Sequence, residues 1–280
     1  MKRCPRCHTV LPAEARFCLQ CGTVQEAAGP NGPAQAARVD LAGNLELQLN
    51  QQFFLALRER IEQEHRPGSF TEYSERLYLS GFRDTVLGRI EELATLLREM
   101  EAAGEAFPEE VNALIESLFE ELLDQFVILH CKDLNETDYP EAILKYRTTD
   151  RETVPLLRMI LDYLNLPAEG EEFYTELLRM PIEKLQQAGK SFLFPAKDEK
   201  ILLITDQSAL GTCKEGFAFT DLGFYWKAPM EKPRFVAYRN LRQLRREAGW
   251  ITINGFFFNA SPSLNIKLLR LFAKLSLLYA

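Results

Sequence analysis

The sequence predicts a multidomain α+β protein. Its expected parts are a small cysteine-bound N-terminal module, a central all-α helical domain, and a C-terminal seven-stranded β-barrel-like domain closed by a C-terminal helix. Three observations predict this. Four cysteines cluster in the first 21 residues. From Leu45 to about Gln187, apolar residues recur at the three-and-four spacing of helices that bury one face. After Gly189 the pattern changes to short β-type runs divided by turn residues. The expected boundaries are 1–24 for the module, 25–44 for a flexible linker, 45–189 for the helical domain and 190–280 for the β domain.

Composition bounds the function classes. The chain has 280 residues, 46% hydrophobic and 26% charged, enough apolar content for a core and too much for wholesale disorder. With 15 Gly and 6 Cys it is neither collagen-like nor a disulfide-dense scaffold. No run of 18 uncharged apolar residues exists, so no transmembrane helix is expected. The start, Met1-Lys2-Arg3-Cys4-Pro5, is basic with no apolar run behind it, which predicts no secretory signal and a cytoplasmic location. The net charge of −7 is uneven. Residues 1–22 hold four Lys/Arg against one Asp/Glu, residues 23–189 hold 15 against 32, and residues 190–280 hold 14 against 7. The acidic middle disfavours nucleic acid and anionic membranes, whereas the basic C-terminal part suits them, or suits the acidic middle of its own chain.

Cys4, Cys7, Cys18 and Cys21 read C-x2-C-x10-C-x2-C. Each pair puts two thiolates on one tight turn, and two turns make a tetrahedral four-sulfur site of the kind zinc favours. So short a stretch has no core of its own, and the metal must supply the folding free energy. Four thiolates close the coordination shell, which marks one structural zinc ion rather than a catalytic one, and leaves His8 outside it. Two disulfides need an oxidising compartment, and a thioredoxin-like dithiol needs a βαβ context; neither fits this terminus. Residues 4–22, from Cys-Pro-Arg-Cys-His to Phe-Cys-Leu-Gln-Cys-Gly, resemble the short zinc ribbon at the N-terminus of many bacterial proteins. That resemblance implies zinc. It leaves function open, because such ribbons bind proteins, bind nucleic acids, or cap a terminus.

Gly29-Pro30-Asn31-Gly32-Pro33 and the Ala/Gln run beside it read as a tether. A first helix is expected from Leu45 to about Glu64, with Leu49, Phe53, Ala56, Leu57 and Ile61 aligned. A second carries Val86, Ile90, Leu93, Ala94 and Leu97 and ends at Gly104. Another starts at Pro108 and buries the face from Val111 to Val127. Later helices are expected near Glu152, after a Thr149-x-x-Glu152 capping box, and near Glu171. Five or so such helices predict a bundle. Glu91-Glu92, Glu109-Glu110 and Glu120-Glu121 read as solvated faces, since helical neighbours do not face each other. His130-Cys131 is no nucleophile–base pair on the same ground, and no Glu lies three residues before His65 or His130 as a di-iron bundle needs. Gly189-Lys190-Ser191 lacks the earlier glycine of a phosphate loop, because position 184 is Lys. No catalytic residues are expected.

Seven strands are expected at Ser191–Phe194, Lys200–Thr205, Gly216–Thr220, Gly223–Ala228, Arg234–Tyr238, Trp250–Ile253 and Phe256–Asn259. Asp221-Leu222-Gly223 and Asn254-Gly255 supply turns. Ser261-Pro262 opens a last helix that buries Leu264, Leu268, Phe272 and Leu275 and plugs the barrel. The run Gly216-Phe217-Ala218-Phe219-Thr220-Asp221-x-Gly223-Phe224-Tyr225-Trp226-Lys227 resembles paired strands of bacterial pleckstrin-homology-like domains. The resemblance implies that fold for residues 190–280, with an acidic lipid headgroup, a peptide or a partner domain as ligand. Lys232, Arg234, Arg239, Arg242, Arg245 and Arg246 form the candidate anion- or partner-binding set, with the last three sharing one face if their segment is helical. Of Phe256-Phe257-Phe258, one ring is expected to face solvent.

Two functions stand. One is a non-enzymatic adaptor or regulatory protein whose ribbon and pleckstrin-homology-like module bind a protein partner. The other is a binder of nucleic acid or of an acidic lipid membrane, through the ribbon and the basic residues. Salt separates them, because counterion release makes the second mode fall steeply with ionic strength.

Overall fold

The computed structural model describes residues 2–3, 10–11, 39–148 and 151–279. Two short strands, β1 (Lys2–Arg3) and β2 (Val10–Leu11), pair antiparallel, with Lys2 opposite Leu11 and Arg3 opposite Val10. The chain falls into two compact units, Met1–Glu136 and Thr137–Ala280. The boundary expected at residue 189 therefore lies inside the second unit.

Four helices build the first unit: α1 (Leu45–Glu64), α2 (Phe70–Leu79), α3 (Phe82–Ala103) and α4 (Pro108–His130). Asn44 caps α1, its side chain accepting from the Leu47 N–H at 2.9 Å. Gly104 stops α3 in the left-handed conformation, and Pro108 occupies the first turn of α4. Leu49, Phe53, Leu57 and Ile61 meet Val86, Ile90, Leu97, Phe119, Leu122 and Phe126 in a closed core. One charge cluster is buried there. Arg60 holds Glu64 at 3.1 Å, Glu120 at 2.6 Å and Asp124 at 3.0 Å. Glu120 thus departs from the solvated face expected of it, because a buried guanidinium needs carboxylates around it.

The second unit is mixed. A 3-10 turn (Glu141–Tyr146) precedes α5 (Leu156–Leu164) and α6 (Leu166–Glu169). The helix expected near Glu152 starts instead at Leu156, behind Pro155, which disfavours helix in the residue before it; Thr149 of the capping box lies outside the described residues. The helix expected near Glu171 is replaced by strand β3 (Glu172–Tyr174). Next come α7 (Ile182–Ser191), β4 (Ile201–Asp206), β5 (Gly216–Thr220), β6 (Gly223–Lys227), β7 (Arg234–Ala237), β8 (Leu244–Arg246), β9 (Ile251–Ile253), β10 (Phe256–Phe258) and α8 (Pro262–Leu278).

The strands form two antiparallel sheets, β3-β4-β5-β6-β7 and β10-β9-β8, which do not close into a barrel. This corrects the seven-stranded barrel: eight strands are present, β3 and β8 are additional, and the strand expected at Ser191–Phe194 is absent. There α7 runs through Ser191, and Phe192 and Leu193 leave its end into a core with Ala188, Ile204, Ala218 and Tyr225. The five-stranded sheet carries packed side chains on both faces, over only part of the α7 side. On the α7 side it presents Ile204, Ala218 and Tyr225. On the other it presents Phe217, Phe219 and Phe224; the rings of Phe217 and Phe224 reach Phe258, and those of Phe219 and Phe224 reach Phe272 of α8. Period-two alternation along β5 and β6 produces both layers. Asn254 and Gly255 take φ of 51° and 81°, the hairpin turn their identities predict.

Candidate functional site

Cys4, Cys7, Cys18 and Cys21 lie outside the described residues. The pairing of β1 with β2 nevertheless brackets the first cysteine pair, since the chain between Arg3 and Val10 carries Cys4 and Cys7. Two such thiolate pairs are a donor set that fits zinc, with no open position for substrate.

The other chemistry-bearing residues singled out in the sequence lie at helix ends and in the cores. His65 is fully buried at the end of α1, its ring 5.2 Å from that of Tyr73. His130 ends α4, 5.1 Å from the Phe82 ring. Cys131 is buried beside it, and burial pushes its thiol up to about 12. Cys213 is pushed up to about 12 for the same reason. Only a thiolate is a strong nucleophile, so both behave as small apolar side chains near neutral pH. Gly189-Lys190-Ser191 is the last turn of α7.

The candidate basic residues do not form one surface. Lys232 is exposed in the turn between β6 and β7. Arg234 of β7 lies over the Phe256 ring at 4.0 Å. Arg239 is exposed just past β7, and Arg242 is exposed before β8. Arg245 and Arg246 are neighbours on β8, so they point to opposite faces of the sheet. The shared helical face expected for Arg242, Arg245 and Arg246 is thereby corrected. Asn254 explains the extended path: its side chain accepts from the N–H groups of Arg242 and Gln243 and donates to the Asn240 carbonyl, tying this segment to the β9–β10 turn. Phe256 and Phe257 are both part-exposed, one ring more than expected, because β10 is an edge strand.

One site went unseen in the sequence. The segment from α7 to β4 covers only part of the sheet face, and a cleft of about 530 Å³ opens over β6 and β7. Its floor is Tyr225 and Phe235, ring centroids 4.4 Å apart. Phe235 lies across Gly223, where a Cβ would come within 2.6 Å of its ring and 2.4 Å of the Val236 carbonyl oxygen. Glu199 anchors one wall by accepting from the Ala196 N–H, the Thr220 hydroxyl and the Tyr225 hydroxyl. Burial first, then this bond to Glu199, raises the Tyr225 pKa and keeps the phenol protonated. Two cations flank the cleft. Arg239 makes no ion pair among the described residues, and Arg151 stacks on the Tyr279 ring at 4.6 Å. The arrangement offers an aromatic floor, a fixed hydroxyl–carboxylate pair and positive charge to a partner. Strand alternation placed Tyr225 and Phe235 on one face; which part of that face stays open depends on where α7 ends.

Among the described residues, no helix is long and apolar enough to cross a membrane. No curated protein and no solved structure matches the chain. Residues 3–24 match the zinc-ribbon domain family, which gives the protein a structural zinc-binding module at its N-terminus.

Proposed function

We propose that this is a non-enzymatic adaptor or regulatory protein of the cytoplasm, which binds protein partners through its zinc ribbon and a pleckstrin-homology-like C-terminal module. The observation that carries the reading is the open aromatic cleft of the second unit, half-exposed at Phe194, Leu222 and Phe235. Exposed rings on a rigid sheet are the usual anchors of a protein interface. The order of strands β4 to β7, then β8 to β10, then a packed C-terminal helix supports the pleckstrin-homology-like assignment. The match to a zinc ribbon supports reading residues 3–24 as a second recognition unit, in which the four cysteines would hold one structural zinc ion.

A second reading, binding of nucleic acid or an acidic membrane, draws on exposed cations without ion pairs among the described residues: Lys232, Arg242 and Arg245. Capture on the immobilised full chain at low and high salt separates the two. The adaptor reading expects a specific protein retained at high salt, and retained less by a chain with Phe235→Ala. Retention of nucleic acid or anionic vesicles alone, lost steeply with salt, overturns it. Replacement of His65, His130 or Cys131 is expected to leave capture intact, and a defined catalytic activity lost with any of them contradicts the non-enzymatic assignment.

A further inference from the structure

We propose that the cleft over β6 and β7 takes an acidic peptide in extended form, which adds to β7 as a sixth strand of the five-stranded sheet. The inference rests on the adaptor reading and names the chemistry of its partner. β7 ends the sheet, so one of its edges carries no neighbouring strand. Bonded and non-bonded positions alternate along an antiparallel ladder. The Tyr238 N–H donates to the Leu222 carbonyl at 3.1 Å, which places the bonded positions of β7 at Val236 and Arg234. Phe235 and Ala237 sit opposite Tyr225 and Gly223 at the other positions. Their N–H and C=O groups therefore point away from β6, and no described residue bonds them. An edge of this kind is a template for an added strand.

The side chains fix the occupant. Phe235 and Ala237 point into the cleft, two residues apart, and Arg239 follows on the same side. Three neutral donors take up the hydrogen-bonding capacity of the Glu199 carboxylate, and the two guanidinium groups of Arg239 and Arg151 outnumber it, which leaves the cleft positive. Guanidinium groups there pair with a carboxylate. A strand antiparallel to β7 reaches Arg239 first, Ala237 two residues later and the Phe235 ring four residues later. The motif recognised is therefore an acidic residue followed by apolar residues two and four positions on.

The test is fluorescence anisotropy of a labelled octapeptide, Thr-Thr-Glu-Thr-Leu-Thr-Val-Thr, with the purified full chain. The discriminating variant is Ala237→Pro. Ala237 has φ −71° and its N–H faces outward, so proline fits the backbone and removes a bond only from the added strand. We expect wild-type binding, at least about tenfold weakening by Ala237→Pro at unchanged Tm, and similar weakening by Arg239→Glu that a Glu-to-Lys peptide relieves. No binding up to about 1 mM overturns the proposal, as does equal affinity in the Ala237→Pro chain. If Ala237→Pro lowers Tm, Arg239→Glu with the charge-reversed peptide decides alone. Phosphatidylserine vesicles bound through Arg239 and indifferent to Ala237→Pro also overturn it. A protein captured equally by the wild-type and Ala237→Pro chains leaves the adaptor reading standing and removes only this cleft from it.

Discussion

At the residue scale, small groups set the shape of the second unit. Gly223 starts β6 where no Cβ fits: one would meet the Val236 carbonyl oxygen at 2.4 Å and the Phe235 ring at 2.6 Å. Gly223→Ala must displace β7 or swing Phe235 out of the cleft floor. The expected cost is about 2 kcal/mol, as for overpacking in a core, read as a lower Tm together with weaker binding of the peptide probe. A variant with wild-type Tm and binding would show that the ring moves freely. Asp206 is a different kind of device. Its carboxylate takes the Lys184 ammonium at 2.9 Å and the N–H groups of Ser208 and Cys213, which closes the loop between β4 and β5. Burial alone raises its pKa, but hydrogen bonds from Ser208 and Lys184 outweigh that and hold the folded value below the ordinary one. The stability it contributes is thus fully present above about pH 4 and lost as pH falls through the depressed folded value. Asp206→Asn should be less stable at neutral pH and should show a flatter fall of Tm on acidification below about pH 4. Parallel Tm–pH curves for the two chains would refute the role.

At the scale of elements, caps carry much of the local design. Ser261 accepts from the Leu264 N–H at 3.1 Å and donates to Glu169 at 2.8 Å, so one hydroxyl both starts α8 and ties it to the end of α6. Ser261→Ala is expected to cost about 1 kcal/mol in chemical denaturation. Ser261→Asp should recover the cap yet remain destabilised, because its carboxylate would face Glu169; full recovery would mean the tie to α6 is unimportant. These caps also explain what was legible beforehand. Gly104, Pro108, Asn254-Gly255 and Ser261-Pro262 act on neighbours a few residues away; α1 and β5 were anticipated to within about two residues at each end, and α4 and the last helix at their starts. β3 and β8 were not. Glu172-Phe173-Tyr174 is a strand because β4 lies beside it, and Leu244-Arg245-Arg246 is a strand because Asn254 and β9 hold it extended. Three residues carry no period of their own, and partners distant in sequence decided them. The zinc ribbon matched at residues 3–24 was legible for the opposite reason: metal chemistry fixes residue type and spacing locally. The cleft was not, since it is the part of a sheet face that a neighbouring helix fails to cover.

At the scale of the whole molecule, the chain forms two compact units, Met1–Glu136 and Thr137–Ala280, and the zinc ribbon is too short to build a core of its own. Val86, Ile90 and Phe126 are buried in the first unit, and Phe217, Phe224 and Phe272 in the second. A stretch as short as the matched residues 3–24 is expected to draw its folding free energy from its metal. Metal loss should therefore uncouple the module from the rest. Atomic emission on the purified wild-type chain is expected to give about one zinc per molecule, and none for the chain with Cys18→Ala and Cys21→Ala. The main thermal transition of that double variant should match wild type, because the buried apolar residues among the described residues begin only at Leu45. The peptide probe of the cleft should bind the double variant as well as it binds wild type. A protein partner captured by wild type and lost by the double variant would then belong to the ribbon, and one lost by Ala237→Pro to the sheet edge. Zinc-free wild type purified under reducing conditions would dismiss the structural-metal assignment and turn attention to redox chemistry at the four cysteines. A drop in the main transition on zinc loss would show that the ribbon is part of one of the larger cores.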